Sequence, residues 1–116
     1  MIKLIVFSSI LVVSTFSAQA TGDCDISGIW SHSTKPAKLV IDLSKGEASV
    51  YAHDDNAQAI GLVVLKGIQP AAIPSSWQAK MYSADEDSFV AVQITAKGCH
   101  QLSVDFRGEE VLALVR

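Results

Sequence analysis

The sequence contains no Cys-x-x-Cys pair, no Gly-x-Ser-x-Gly elbow and no glycine-rich loop leading into a helix. The first absence removes the common spacing of thiol redox and zinc sites. The second removes the nucleophile turn of α/β-hydrolases, and the third a helix-borne phosphate cradle. Basic side chains are scarce: nine Lys plus Arg stand against twelve Asp plus Glu, a formal charge of -3. Phosphate backbones demand the opposite balance, so nucleic acid is not an expected partner. Helical periodicity is missing as well. The longest mostly apolar stretch, residues 4–13, is about half of what a membrane-spanning helix needs.

That stretch has another reading. Lys3 precedes it and Ser17-Ala18-Gln19-Ala20 follows it, which is the order of charge, apolar run and small residues in a secretory signal. Cleavage after Ala20 is expected to leave one domain, residues 21–116, with no membrane span and a periplasmic or secreted destination. Mean hydropathy, +0.31 over the chain, includes this leader. An oxidising compartment predicts that the two cysteines, Cys24 and Cys99, form a disulfide. Such a bond closes a loop of about 75 residues, worth about 4.5 kcal/mol as chain entropy. Lipidation of Cys24 is the weaker alternative, because cleavage after Ala20 leaves that cysteine inside the mature chain.

Past the leader, short alternating runs are separated by turn residues. Strands are expected over 28–33, 37–43, 47–53, 61–68, 76–82, 89–95, 101–106 and 111–115. Ser44-Lys45-Gly46, Asp85-Glu86-Asp87, Lys97-Gly98 and Arg107-Gly108 mark turns between them. The run Leu62-Val63-Val64-Leu65 is continuously apolar, as in a strand covered on both faces or one whose outer face meets a partner. About eight strands in hairpin succession predict an all-β protein. An up-and-down barrel is expected and a small β-sandwich is the competitor.

A group of motifs then suggests a family. Gly28-Ile29-Trp30, the segment Gly61-Leu62-Val63-Val64-Leu65-Lys66-Gly67-Ile68, Trp77 four residues before Met81-Tyr82, and an arginine after the last strand resemble the bacterial family called domain of unknown function 2147. That resemblance covers most of the mature chain. It implies an exported, lipocalin-like barrel without an established activity, and it supplies no catalytic residues. Two departures stand out. Ser83-Ala84 follows Tyr82 where the family continues into an Asp-Pro turn, and the polar segment before the Gly-Leu motif is shortened. The cysteine pair is not carried over from the family. Barrels of this kind place the Gly-x-Trp tryptophan at the closed end of the first strand with a late arginine across it, which assigns structural roles to Trp30 and Arg116. The plain alternative makes Trp30 ordinary core and Arg116 a frayed end.

Candidate chemistry is thin. His32, His53 and His100 are the side chains that titrate near neutrality. His53-Asp54-Asp55 has ligand types but alternates faces if extended, so a solvated turn is the better reading and no metal or cofactor is expected. His100 follows Cys99, whose oxidation removes the nucleophile of any thiolate–imidazole pair. Asp85, Glu86 and Asp87 crowd one turn and cannot face each other across a substrate.

The expectation is therefore a non-enzymatic binding protein, taking a small apolar ligand in the barrel or an envelope component at its mouth. Trp30, Val50, Leu62, Trp77, Met81, Val92 and Val104 are its candidate lining, with core packing the plain alternative for Trp77 and Met81. A second reading is an interaction or inhibitor module using loops 69–76 and 84–88, whose acidic charge favours a basic partner. An enzyme or metal site built on the three histidines is the third.

Overall fold

Alternation of apolar and polar side chains becomes eight antiparallel strands, and the computed structural model describes them within residues 24–116. The signal-sequence reading of residues 1–20 lies outside the described residues. The strands are β1 (Gly28–His32), β2 (Ala37–Asp42), β3 (Glu47–His53), β4 (Val63–Pro70), β5 (Ser76–Ser83), β6 (Ser88–Ala96), β7 (Gln101–Phe106) and β8 (Glu109–Val115). Each pairs with the next, and β1 pairs with β8, so the sheet closes into an up-and-down barrel of the lipocalin-like kind. The seam is short, with Ser31 opposite Val115 and His32 opposite Leu114. Closure removes the free edges that an open sandwich keeps.

Several strand ends differ by a residue or two from the sequence reading, and two strand starts shift by two residues. β4 starts at Val63 rather than Gly61, because a 3-10 turn at Ala57–Ala59 and the positive φ of Gly61 carry the chain through Leu62 as a connection. β8 starts at Glu109, because Arg107 and Gly108 both adopt positive φ and form a two-residue turn that draws Glu109 and Glu110 into the ladder. The apolar run at residues 62–65 also has a different cause from burial on both faces. Leu62 lies in the connection and is 60% exposed, while Val64 is an extra residue between the pairs Ser49–Val63 and Ala48–Leu65. A bulge of this kind lets two successive valines avoid strict alternation.

Inward positions form one core. Trp30, Leu39, Ile41, Ala48, Val50, Leu65, Ile68, Trp77, Ala79, Val92, Ile94, Leu102, Val104, Leu112 and Leu114 are all buried. Outward positions carry Lys38, Lys66, Lys80, Gln78, Gln93 and Glu110, each exposed. Apolar inside and polar outside is the reverse of the pattern of a transmembrane barrel. No helix among the described residues is long and apolar enough to cross a membrane.

The two ends of the barrel differ. At one end the segment before β1 folds across the core: Ile26 is fully buried and its carbonyl accepts the Trp30 indole N–H at 2.9 Å. Arg116 lies over Trp30 with its guanidinium carbon 4.1 Å from the ring centroid. Its nitrogens donate to the carbonyls of Asp25 at 2.7 Å, Ser27 at 3.0 Å and Cys99 at 3.3 Å. A Cys24–Cys99 disulfide, Cα to Cα 5.4 Å, ties the same segment to the β6–β7 turn. The Ser27 hydroxyl and backbone N–H donate to the Asp25 carboxylate and, with Arg116 nearby, hold its pKa below the ordinary range. This end is closed.

Candidate functional site

The opposite end gathers the connections β1–β2, β3–β4, β5–β6 and β7–β8, and it is only partly covered. The β3–β4 connection lies over one side, pinned to β3 by hydrogen bonds from Gly61 N–H to the Val50 carbonyl at 2.8 Å and from Val50 N–H to the Leu62 carbonyl at 2.9 Å. Ala59 of its 3-10 turn packs against the core. On the other side a recess of about 530 Å³ opens, lined among others by Met81, Val90, Val92 and Phe106, with Lys35 and Val111 at its rim. Alternation explains the lining: Met81, Val90 and Phe106 continue the inward rows of β5, β6 and β7 to their open ends, just beyond well-covered core residues such as Val92 and Val104. Val111 reaches the rim through a bulge, since Val104 pairs with Leu112 but Asp105 pairs with Glu110.

Rim loops are held by side chains. His32 Nδ1 accepts the backbone N–H groups of Thr34 and Lys35, both at 3.1 Å, which shapes the loop carrying Lys35. Both bonds need the unprotonated nitrogen. Partial burial, with the Lys35 charge second, lowers the His32 pKa from its ordinary value of 6.5. A histidine that is harder to protonate in the fold than in the unfolded chain contributes stability that is fully present above pH 6.5. That stability is lost as pH falls through the lowered folded value. Urea midpoints should therefore decline below pH 6.5, and His32→Asn should flatten that decline; an unchanged slope would show that His32 does not carry it.

On the facing hairpin, Tyr82 donates its hydroxyl to Asp87 at 2.8 Å, which raises the phenol pKa, and Phe89 meets the Tyr82 ring edge-on at 5.7 Å. Asp87 thus belongs to the hairpin's own bonding. Asp85 lines the recess, and Glu86 is exposed to solvent.

Of the expected lining residues, the structure brings Met81 and Val92 to the recess. Trp30, Val50, Trp77 and Val104 are buried at 1%, 9%, 9% and 0% exposure and fill the barrel's interior. Two tryptophans and short strands leave that interior occupied by side chains, as an eight-stranded barrel permits. Leu62 faces outward on the rim. Val90, Phe106, Lys35 and Val111 were not among the expected lining; the first two could be found from strand alternation, whereas a loop lysine and a bulged valine leave no periodic trace.

The three histidines do not converge. His32 and His53 end β1 and β3 at the open mouth, and His100 lies in the β6–β7 turn at the closed end. His53 Nδ1 accepts the Asp55 N–H at 3.2 Å within its own turn. Among the described residues no group of three or more His, Cys, Asp or Glu is placed to hold a metal ion. Loops 69–76 and 84–88 are likewise separated, because the whole length of β5 runs between them, and they cannot form one continuous contact surface. No protein-family model matches the chain, and no curated protein or solved structure is similar enough to count as a relative.

Proposed function

We propose that this is an exported, non-enzymatic binding protein of the periplasm or cell exterior, related to the domain of unknown function 2147 group, whose open mouth takes a small apolar ligand. The observation that carries this is the recess itself: an apolar floor of Met81, Val90, Val92 and Phe106 beneath a polar rim. Small-molecule sites combine such a floor with a few polar groups that fix orientation. Met81 adds a thioether that adapts to irregular apolar shapes. The leader-like residues 1–20 and the Cys24–Cys99 bond support the extracytoplasmic location.

A second version, capture of an envelope component at the mouth, is favoured by Ile60 and Leu62, which expose 53% and 60% of their surface on the covered rim. Native mass spectrometry of protein purified from its own host is expected to find a co-purifying apolar molecule. For a defined probe, Nile red should brighten on mixing with the protein. Val111→Trp, a change at an exposed rim position, should weaken that binding about fivefold by filling the recess. Binding unaffected by Val111→Trp would place the dye elsewhere and sink the mouth as the site.

A further inference from the structure

The outside of β4, β5, β6 and β7 carries two rows of polar side chains that take no part in the core, although Asp105 accepts the Ser103 hydroxyl at 3.2 Å and Arg107 lies over the Phe106 ring at 4.9 Å. In one row Gln69 stands opposite Gln78, Gln78 opposite Gln93, and Gln93 opposite Asp105. The three glutamines are exposed, and among the described residues their amides enter no side-chain hydrogen bond. The second row runs beside it toward the open end: Lys66 stands opposite Lys80, Lys80 opposite Ala91, and Arg107 follows β7 two positions beyond Asp105.

Between the rows lies a groove of about 800 Å³. Its depth has a local cause. Ala91 is a short side chain among long ones, and Gly67, at φ 65°, forms the bulge between Lys66 and Gln69 with open space where a Cβ would stand.

The charge arrangement is unfavourable for the fold alone. Like charges directly opposite on neighbouring strands repel, and Lys66 and Lys80 are such a pair. Lys66 finds partial relief with its Nζ 4.0 Å above the Phe89 ring, whereas the strand partners of Lys80 are Lys66 and Ala91. Asp105 is the carboxylate in this groove. A chain with a net charge of -3 has gathered three cations around one cleft.

We infer that this outer groove binds a linear oligosaccharide bearing carboxylates. Amides both donate and accept, as sugar hydroxyls do, and three in register provide a ladder with one rung per strand. Strands lie about 4.8 Å apart, close to the advance per ring of an extended glycan, so a chain lying across the strands meets one amide per sugar. Carboxylates along it reach Lys66, Lys80 and Arg107 as charge-assisted hydrogen bonds. Asp105 accepts from hydroxyls at the end of the amide row.

Other polyanions fit less well. Single-stranded nucleic acid needs aromatic platforms for its bases, and the groove is lined by glutamine, lysine, arginine and small residues. An acidic peptide adding itself as a strand needs a free sheet edge, which the closed barrel lacks.

Calorimetric titration at low salt with a hexameric oligogalacturonate, maltohexaose and oligothymidylate tests the assignment. The uronate should bind, and the neutral glucan and the nucleotide should bind more weakly. Lys66→Gln with Lys80→Gln, and separately Gln78→Ala with Gln93→Ala, should each weaken uronate binding about tenfold. All four positions are exposed, and unchanged circular dichroism would confirm that both variants fold. Absence of uronate binding, or indifference to the lysine pair, would overturn the site. Equal binding of oligothymidylate together with indifference to the glutamine pair would also overturn it, leaving only nonspecific charge attraction.

Discussion

Replacing Cys24 and Cys99 together with serine is expected to lower the free energy of unfolding by about 4.5 kcal/mol, against a total of about 5–15 kcal/mol for ordinary domains. The magnitude follows from the 75-residue separation of the two cysteines, since opening so long a loop frees most of the unfolded chain. The folded barrel is affected at its weakest join. Between β1 and β8 two residue pairs are in register, supplemented by the bond from Ser33 N–H to the Ala113 carbonyl at 3.0 Å. The disulfide bridges past this seam by fastening the segment before β1 to the turn before β7. Urea denaturation of the oxidised protein and the double serine variant measures the difference directly. The variant should also show a larger denaturant slope, because an uncrosslinked unfolded chain exposes more surface. Amide exchange at Ser31 and Ser33 should accelerate in parallel. A loss below about 1 kcal/mol would mean that the closed end is held by its other contacts and that the unfolded ensemble is already compact.

The barrel was legible because period-two alternation survives in nearly every strand. Leu39 and Ile41, Trp77 and Ala79, Val92 and Ile94, Leu102 and Val104 all read as inward pairs in sequence and are all buried. Reading fails where alternation is broken by geometry that has no compositional mark. Gly61-Leu62 looks like the start of a strand but belongs to a connection set by a 3-10 turn, and the bulges at Val64 and Val111 shift a residue without changing the apolar character of the run.

The candidate site suffers most from this. A recess forms where the inward rows outrun their cover, so its lining depends on where strands and loops stop rather than on residue type. Met81 and Val92 emerge from alternation, Leu62 is misplaced with the β4 boundary, and Lys35 depends on a loop shaped by two bonds to His32. The row Gln69, Gln78, Gln93 and Asp105 is invisible in sequence for a related reason. Its members are separated by 9, 15 and 12 positions, and only the register of three ladders aligns them. Composition and periodicity likewise give no reason for Arg116 to lie over Trp30; only the family resemblance suggests it.

Trp30→Ala should cost about 3–5 kcal/mol, nearly as much as losing the disulfide, because the deleted indole is both buried and part of the closed end. Most of that is transfer and cavity energy. The indole N–H bond to the Ile26 carbonyl adds about 1 kcal/mol and disappears together with its donor. Arg116→Met keeps much of the side chain's apolar bulk but removes the cation and its donations to Asp25, Ser27 and Cys99. Those carbonyls are reachable by water, so the expected loss is smaller, about 1–2 kcal/mol. The two effects should not add. With Trp30 gone, Arg116 has no ring to cover, and a double-mutant cycle should return a coupling of about 0.5–2 kcal/mol. A coupling near zero would mean that Arg116 acts only as a strap across the three carbonyls.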